Sequence, residues 1–495
     1  MSTPPTTNCE LGALPEPLRL VDIVGSLSYA LDLVEGQPQG HAVRTCLIGM
    51  RLADHIHMLE RDRRHLYFAL LLKDSGCSSN ATRMCQIVGG DEIAAKAAVK
   101  LTDWTRAGLE SLIYAWRYIA PGAPLAAKIR RIGLMAVNKK PQAKELVQIR
   151  CDRGASIARE MGFSEATAEA VRCLDEHWNG QGYPDGLKGE EIPVHARILN
   201  ISQTLEVYWR ERGADAAITV AQDRAKRWFD PKLSKAAKSL HSNGLLFQNL
   251  DREDLLQSML SDLQPVQDAL PVTNERIDEI CSAFAAVVDA KSPFTFRHSL
   301  GVTSAALSIS QRLGFSIEAQ TSIRRAALLH DAGKLNVPNS ILEKPGKLDS
   351  GEWGIVRNHP YHTYQILRRI PGFEELSEIA ASHHEKLDGT GYWRGLTGEH
   401  MSLPARLLAV ADIYDALAAE RPYRGALPTE KVFSIIDEYV PKALDAECVQ
   451  ALKEGVLAGD LEVISSLRKL RLAIERHQVA AAPVEEKTQN YSPQA

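Results

Sequence analysis

At 495 residues, 45% of them hydrophobic and 24% charged, the chain is long enough for two or more packed domains and too apolar for wholesale disorder. Its 58 basic and 62 acidic residues leave a net charge of −4 and a pI near 6.4, a balance without the global field that would draw in DNA, RNA or an anionic membrane. Eight cysteines scattered without a C-x-x-C pair argue against a disulfide framework or zinc ribbon; with no secretory leader and no run of roughly 18 apolar residues, a cytoplasmic protein is expected.

Along the chain, apolar residues recur at i, i+3, i+4 spacing, as in Ala94–Leu101, Ile323–Leu329 and Arg406–Ala418, and alternating β-rich runs are scarce, so an all-α fold is expected. Pro265 and Pro271 among polar residues place a boundary near 265–272, with a fresh helical pattern from Asn274; residues 480–495 lack periodicity and read as a disordered tail. The segment Glu176–Tyr208 matches Glu385–Leu417 at a constant offset of 209 residues. An earlier block around His41–Gly76 matches His298–Gly333 at an offset of 257, so the first copy carries 48 additional residues between Cys77 and Arg150, where Ala94–Leu134 looks helical. Two ordered blocks with fixed offsets indicate two tandem copies of one helical domain, expected over 15–264 and 272–470.

The second copy concentrates His298, His330, Asp331, Lys334, His359, His383, His384 and Asp412. A lone histidine in a helix is usually a surface or satisfied core residue, but Asp412 interrupts a helix apolar on nearly all sides, where a carboxylate must find a cation or several donors. A buried salt bridge to Arg406 is the plainer alternative. So many imidazoles with two carboxylates favour two transition-metal ions, Fe or Mn, sharing one carboxylate. Such a centre supplies a water acidic enough to attack an electrophilic phosphorus, and the chemistry points to hydrolysis.

The segments RHS, ALLHDAGKLNVP, ILEKPGKL, RNHP, HHEKLDGTGY, LPARLLAVADIYDAL and RPYR stand in the order and spacing of the HD-GYP family, and residues 275–440 resemble it over most of their length. The HD-GYP family is a branch of the HD-domain metal-dependent phosphohydrolases that hydrolyses cyclic di-GMP. The resemblance implies two tandem HD-type helical bundles and linearisation of cyclic di-GMP to pGpG, with GMP as a further product. It implies His298, His330, Asp331 and Asp412 as ligands of one metal, and Asp331, His359, His383 and His384 as ligands of the other. Lys334 resembles the family's catalytic lysine, Asp331 the bridging catalytic carboxylate, and Arg421 and Arg424, with Tyr392, the substrate-holding groups. Lys334 follows His330 by four residues, a helical reach that would aim its ammonium at the centre; its plain alternative is a surface cation, and that of the two arginines a solvated loop.

Two departures stand out. The position four residues before His298, acidic where a third metal is bound, is Phe294, so two metals are expected; and the G-Y-P triplet reads Gly391-Tyr392-Trp393, which puts loop rigidity and substrate fit in question. Transferred to the first copy, His330 becomes Lys73, Lys334 Cys77, His359 Arg150, His383 Leu174, His384 Asp175 and Asp412 Gln203. Only His41 and Asp74 survive, while Gly182-Tyr183-Pro184 is intact, so the first copy is expected to be metal-free and inactive. It either stabilises its partner or serves as a ligand sensor or interaction domain, the latter admitting a homodimer or a signalling-protein partner. A non-catalytic nucleotide sensor and a hydrolase of another cyclic dinucleotide are the rival functions.

Overall fold

The computed structural model describes residues 18–103, 108–137, 139–264, 272–292, 298–419 and 425–463. Among them every named element is an α-helix or a short 3-10 helix, and β pairing is limited to isolated bridges, as the all-α expectation requires. The apolar spacings fall in the helices Glu92–Lys100, Ile317–Leu329 and Leu403–Ala418. The stretch Ala94–Leu134 is not one helix: it divides into the end of Glu92–Lys100, then Leu109–Tyr118 and Leu125–Val137. Between the last two, Pro121, Gly122 at φ +77° and Pro124 turn the chain. Phe294, Arg421, Arg424, the boundary at 265–271 and the stretch 480–495 lie outside the described residues.

The two halves repeat element by element at the offsets found in the sequence. His41–His55 and Glu60–Leu72 recur 257 residues later as His298–Arg312 and Ile317–Leu329. Glu165–Arg172 recurs 209 residues later as Glu374–Ala381, and the helix opening at Val194 recurs as the one opening at Leu403. Glycines show why the backbone path is shared. A Cβ on Gly333 would lie 2.0 Å from the carbonyl oxygen of His359, and one on Gly76 1.9 Å from that of Arg150. In both copies the turn after the H-D or K-D pair thus presses directly on the backbone of a following helix, at its start in the second copy and midway along it in the first, and only glycine fits.

The halves also share a core. Buried apolar side chains such as Ile23, Leu47 and Phe68 in the first and Phe284, Leu329 and Leu407 in the second form one continuous cluster. A polar bridge reinforces it: Glu92, buried at the start of its helix, accepts the backbone N–H of Asn339 at 2.9 and 3.0 Å and lies 3.7 Å from the Lys291 ammonium. Lys291 donates in turn to the carbonyl of Leu335, one residue beyond Lys334, at 2.8 Å. Burial pushes Lys291 down to about 8, so its charge depends on Glu92. Glu92→Ala leaves a buried ammonium without its counter-charge, and urea denaturation should show a loss of about 3–5 kcal/mol. A loss below about 1 kcal/mol would mean that water already screens the pair.

Candidate active site

The candidate ligands come from five helices, and most sit at helix ends, where the chain can turn a side chain into the bundle. His298 opens His298–Arg312, His330 caps Ile317–Leu329, Asp331 starts the 3-10 turn Ala332–Asn336, and His359 opens His359–Leu367. His383 and His384 follow the helix Glu374–Ala381, and Asp412 projects from the middle of Leu403–Ala418. All but His384 are buried.

The two oxygens of Asp331 divide the set. Oδ1 lies 3.3 Å from His359 Nε2 and 3.6 Å from His383 Nε2, while Oδ2 lies 3.4 Å from His330 Nε2 and 3.7 Å from His298 Nε2. Asp412 completes the second side, its Oδ1 standing 3.1 Å from His298 Nε2, and its Oδ2 reaches His384 Nδ1 at 3.4 Å. His298, His330 and Asp412 form one group able to hold a cation, and His359, His383 and His384 another. Arg406, the plainer partner considered for Asp412, instead binds the carbonyls of Met401 and Gly398 and the carboxylate of Asp445.

The imidazoles are held in one tautomer. His330, His359 and His383 each place Nδ1 at 2.7 Å from the carbonyl oxygen three residues earlier, donating there and leaving the Nε2 lone pair to face the centre. Among the described residues His330 Nε2 and Asp331 Oδ1 are buried without a hydrogen bond, an arrangement that is costly in a closed core and natural around a cation. Burial, together with the neighbouring imidazoles, pushes His383 down, and His384 falls to about 3, so both stay neutral. Burial would raise Asp331, but the charges of Lys334 and His330 outweigh it and hold the carboxyl well below its usual range. Five imidazoles gathered around two ionised carboxylates fit divalent cations, and these seven residues would hold them.

Lys334 reaches the centre by a different route from the expected helical one. The helix ends at Leu329, and Lys334 lies on the 3-10 turn, whose tighter winding brings i and i+3 together; its Nζ meets Asp331 Oδ2 at 2.6 Å. Tyr392 packs at a tilt against His384 with ring centres 4.8 Å apart, and burial pushes its phenol up.

Trp393 leaves the loop path unchanged. Glu385 accepts the backbone N–H groups of Arg394 at 2.8 Å and Leu396 at 2.9 Å, as Glu176 accepts those of Asp185 at 2.7 Å and Gly186 at 3.0 Å in the first copy. Gly389 and Gly180 share the left-handed conformation, φ +75° and +78°. The indole packs against Tyr361 and Tyr364, with the Arg394 guanidinium 4.5 Å over it.

Two residues escaped the sequence reading. Asp415 Oδ2 lies 2.7 Å from His298 Nδ1; burial pushes His298 down, but hydrogen bonds to Asp412 and Asp415 outweigh it and lift the ring to about 10. A Cβ on Gly301 would lie 1.7 Å from an Asp415 oxygen, so the glycine makes room for this carboxylate. Asp415 stands three residues after Asp412 on the same helix, a spacing that could have flagged it. The other is Arg357, of the RNHP segment, whose guanidinium lies 5.2 Å over the Tyr392 ring at the edge of the centre.

The chain belongs to the HD domain family. The family model matches residues 137–233 and 282–448, which together take in more than half of the chain. HD-domain relatives extend the match: a 3′3′-cGAMP-specific phosphodiesterase of Vibrio cholerae is 41% identical over 437 residues, 88% of this chain and 94% of that protein. A cyclic di-GMP phosphodiesterase response regulator of Xanthomonas campestris is 34% identical over 43% of this chain and 57% of its own length. The crystal structure of a cyclic GMP-AMP-specific phosphodiesterase of Vibrio cholerae matches with a TM-score of 0.62 and 38% identity, covering 89% of this chain and 98% of that one. The HD-GYP resemblance of the second copy thus stands.

At the equivalent place in the first copy of this HD-domain chain, ammonium groups stand in for metal. Lys73 pairs with Asp74, and Lys100 lies 3.0 Å from Glu35 and 3.6 Å from Asp74. Lys96 lies 3.5 Å from Glu35, and Arg150 pairs with Asp175. Glu35, Asp74 and Cys77 are close enough to hold an ion, but Lys73, Lys96 and Lys100 already neutralise the carboxylates. Lys96 and Lys100 belong to the additional residues of the first copy, so the repeat arithmetic could not show them. Arg44 stands where the second copy has Gly301 and binds Glu206, the counterpart of Asp415, at 2.6 Å.

Proposed function

We propose that the second half binds two divalent cations and hydrolyses one phosphodiester of a 3′,3′-linked cyclic dinucleotide, with 3′3′-cGAMP as the preferred substrate. At the coarser level the chain is an HD-type cyclic dinucleotide phosphodiesterase, in keeping with its family and relatives. The observation that carries the proposal is the division of Asp331: each carboxylate oxygen faces its own group of imidazoles, as a bridging ligand would. When bound, such cations, Fe or Mn by the imidazole-rich donor set, lower the pKa of a water and neutralise phosphate charge. The chain's own groups do the rest. Lys334, with 19% of its side chain exposed beside Asp331, can reach a phosphoryl oxygen and stabilise the charge that builds there. Arg421 and Arg424 supply bidentate donors to the substrate's phosphates, and Tyr392 and Arg357 flank the centre on the His384 side.

Preference for 3′3′-cGAMP over cyclic di-GMP rests on extent: the Vibrio cholerae relative named for 3′3′-cGAMP aligns through both halves, whereas the Xanthomonas campestris relative aligns with less than half of this chain. The full chain, supplied with Mn²⁺ or Fe²⁺ under reducing conditions, should convert 3′3′-cGAMP to a linear dinucleotide, resolved by chromatography, with a higher kcat/KM than cyclic di-GMP. A reversed order would return the assignment to cyclic di-GMP. Background release from both substrates with every metal tried, in folded protein, would replace the enzyme with a nucleotide sensor.

A further inference from the structure

Between Cys77 and Arg150, where the first copy holds its additional residues, the helices Leu109–Tyr118 and Leu125–Val137 are tied to the protein along one side. Tyr114 donates its hydroxyl to the Ala95 carbonyl at 3.3 Å, Ala120 its N–H to that of Val88 at 2.7 Å, and Arg131 its Nε–H to that of Ile87 at 3.1 Å. The opposite side is apolar and open. Leu109, Leu112, Ile113 and Trp116 recur at i, i+3, i+4 and i+7, and Leu125 and Ile129 continue the apolar surface on the next helix; each is more than half exposed. Of the sixteen large apolar side chains exposed among the described residues, eight lie between Leu109 and Val137, so this is a patch and not the usual scatter.

The same stretch is basic. Residues 109–144 contain seven lysines and arginines and one acidic residue, Glu110, an excess hidden in a chain whose net charge is −4. The apolar groove between the two helices is flanked by Arg117 and Lys128, and no acidic side chain is among the described residues lining it. Lys128 holds its ammonium 4.9 Å from the centre of the Trp116 ring, so cation and indole stand together at the surface. Charge decides what can cover this face. A second copy laid on it would bring two basic stretches together, and residues 464–478, with Arg468, Lys469, Arg471 and Arg476, would be repelled in the same way. An acidic surface is attracted. Protruding leucine and tryptophan side chains beside lysine and arginine match the boundary of an anionic bilayer, where the apolar groups enter the acyl region and the cations meet phosphate. At 10 and 13 residues the helices are too short to cross a bilayer, so they would lie on it.

We propose that the helices Leu109–Tyr118 and Leu125–Val137 form a docking face for an anionic lipid surface, with Leu112 and Trp116 entering the bilayer and Arg117 and Lys128 on its headgroups. The face lies outside the candidate active site and needs no metal. Co-sedimentation of the full chain with vesicles tests it. Vesicles of phosphatidylglycerol and phosphatidylcholine in equal parts should bind the chain at least about tenfold more tightly than phosphatidylcholine alone, and the gap should narrow as salt rises. Arg117→Glu with Lys128→Glu should weaken binding to the anionic vesicles by at least about tenfold, through reversed charge. Leu112→Gln with Trp116→Gln should weaken it by about tenfold, through lost apolar burial. His298→Ala, in the other half, should leave it unchanged. Thermal melts of the variants check folding, and if one pair does not fold the other carries the test. Sedimentation equilibrium without lipid reads any self-association. The proposal is overturned if neither vesicle binds, if both bind equally, if both double variants bind as the parent does, or if the chain is a dimer that Leu112→Gln with Trp116→Gln turns into a monomer. The first of these outcomes would leave an acidic protein as the partner, and the last a second copy.

Discussion

Asp331→Ala is expected to strip the second half of both cations and to lower turnover by at least about 10³-fold, whereas Lys334→Ala should retain the metal and still lose about 10²–10³-fold. The contrast follows from position. Asp331 approaches two rings of each imidazole group, one oxygen to each group, whereas Asp412 reaches a single ring, His384, on the far side, so removal of Asp331 opens two coordination shells. Among the described residues Lys334 bonds Asp331 Oδ2 alone and belongs to neither group of candidate ligands. Metal content by elemental analysis and kcat on the same preparations separate the two roles. Asp331→Ala protein that kept one full equivalent of metal would show that the two groups hold their ions independently. Lys334→Ala protein with unchanged kcat would return Lys334 to a surface cation.

The second large effect separates the copies. His298→Ala should cost at least about 100-fold in turnover by opening a metal shell, since even outer partners of metal ligands are worth about 10–100-fold. Asp415→Ala tests that outer role: the ring of His298 keeps its place but loses the carboxylate that orients it, and metal affinity should fall by about 10–100-fold. His41→Ala, the matching change in the first half, should alter turnover by less than about threefold while costing about 1–3 kcal/mol of stability, because Glu206 loses one of its two buried partners and keeps Arg44. A folded His41→Ala protein as inactive as His298→Ala would place the first pocket in the reaction itself.

The helical class, the two repeats and the candidate ligands were all legible in one dimension. An all-helical periodicity, two offsets and a ligand list need only residue identity and spacing, and these survive in one dimension. The same arithmetic marked Lys73, Arg150 and Gln203 as substitutions at the old centre, because each has a counterpart in the second half. Folding decided the rest, for reasons of direction and distance. Residues separated by up to 114 positions, His298 and Asp412 at the extremes, converge only because helix ends aim them at one point. Which oxygen of Asp331 faces which ring depends on how five helices pack. The tight 3-10 turn, not a continued helix, delivers Lys334. Lys96 and Lys100 lie in residues with no counterpart to align, so their pairing with Glu35 and Asp74 becomes visible only when that helix packs over the first pocket, where buried carboxylates without metal must find another cation.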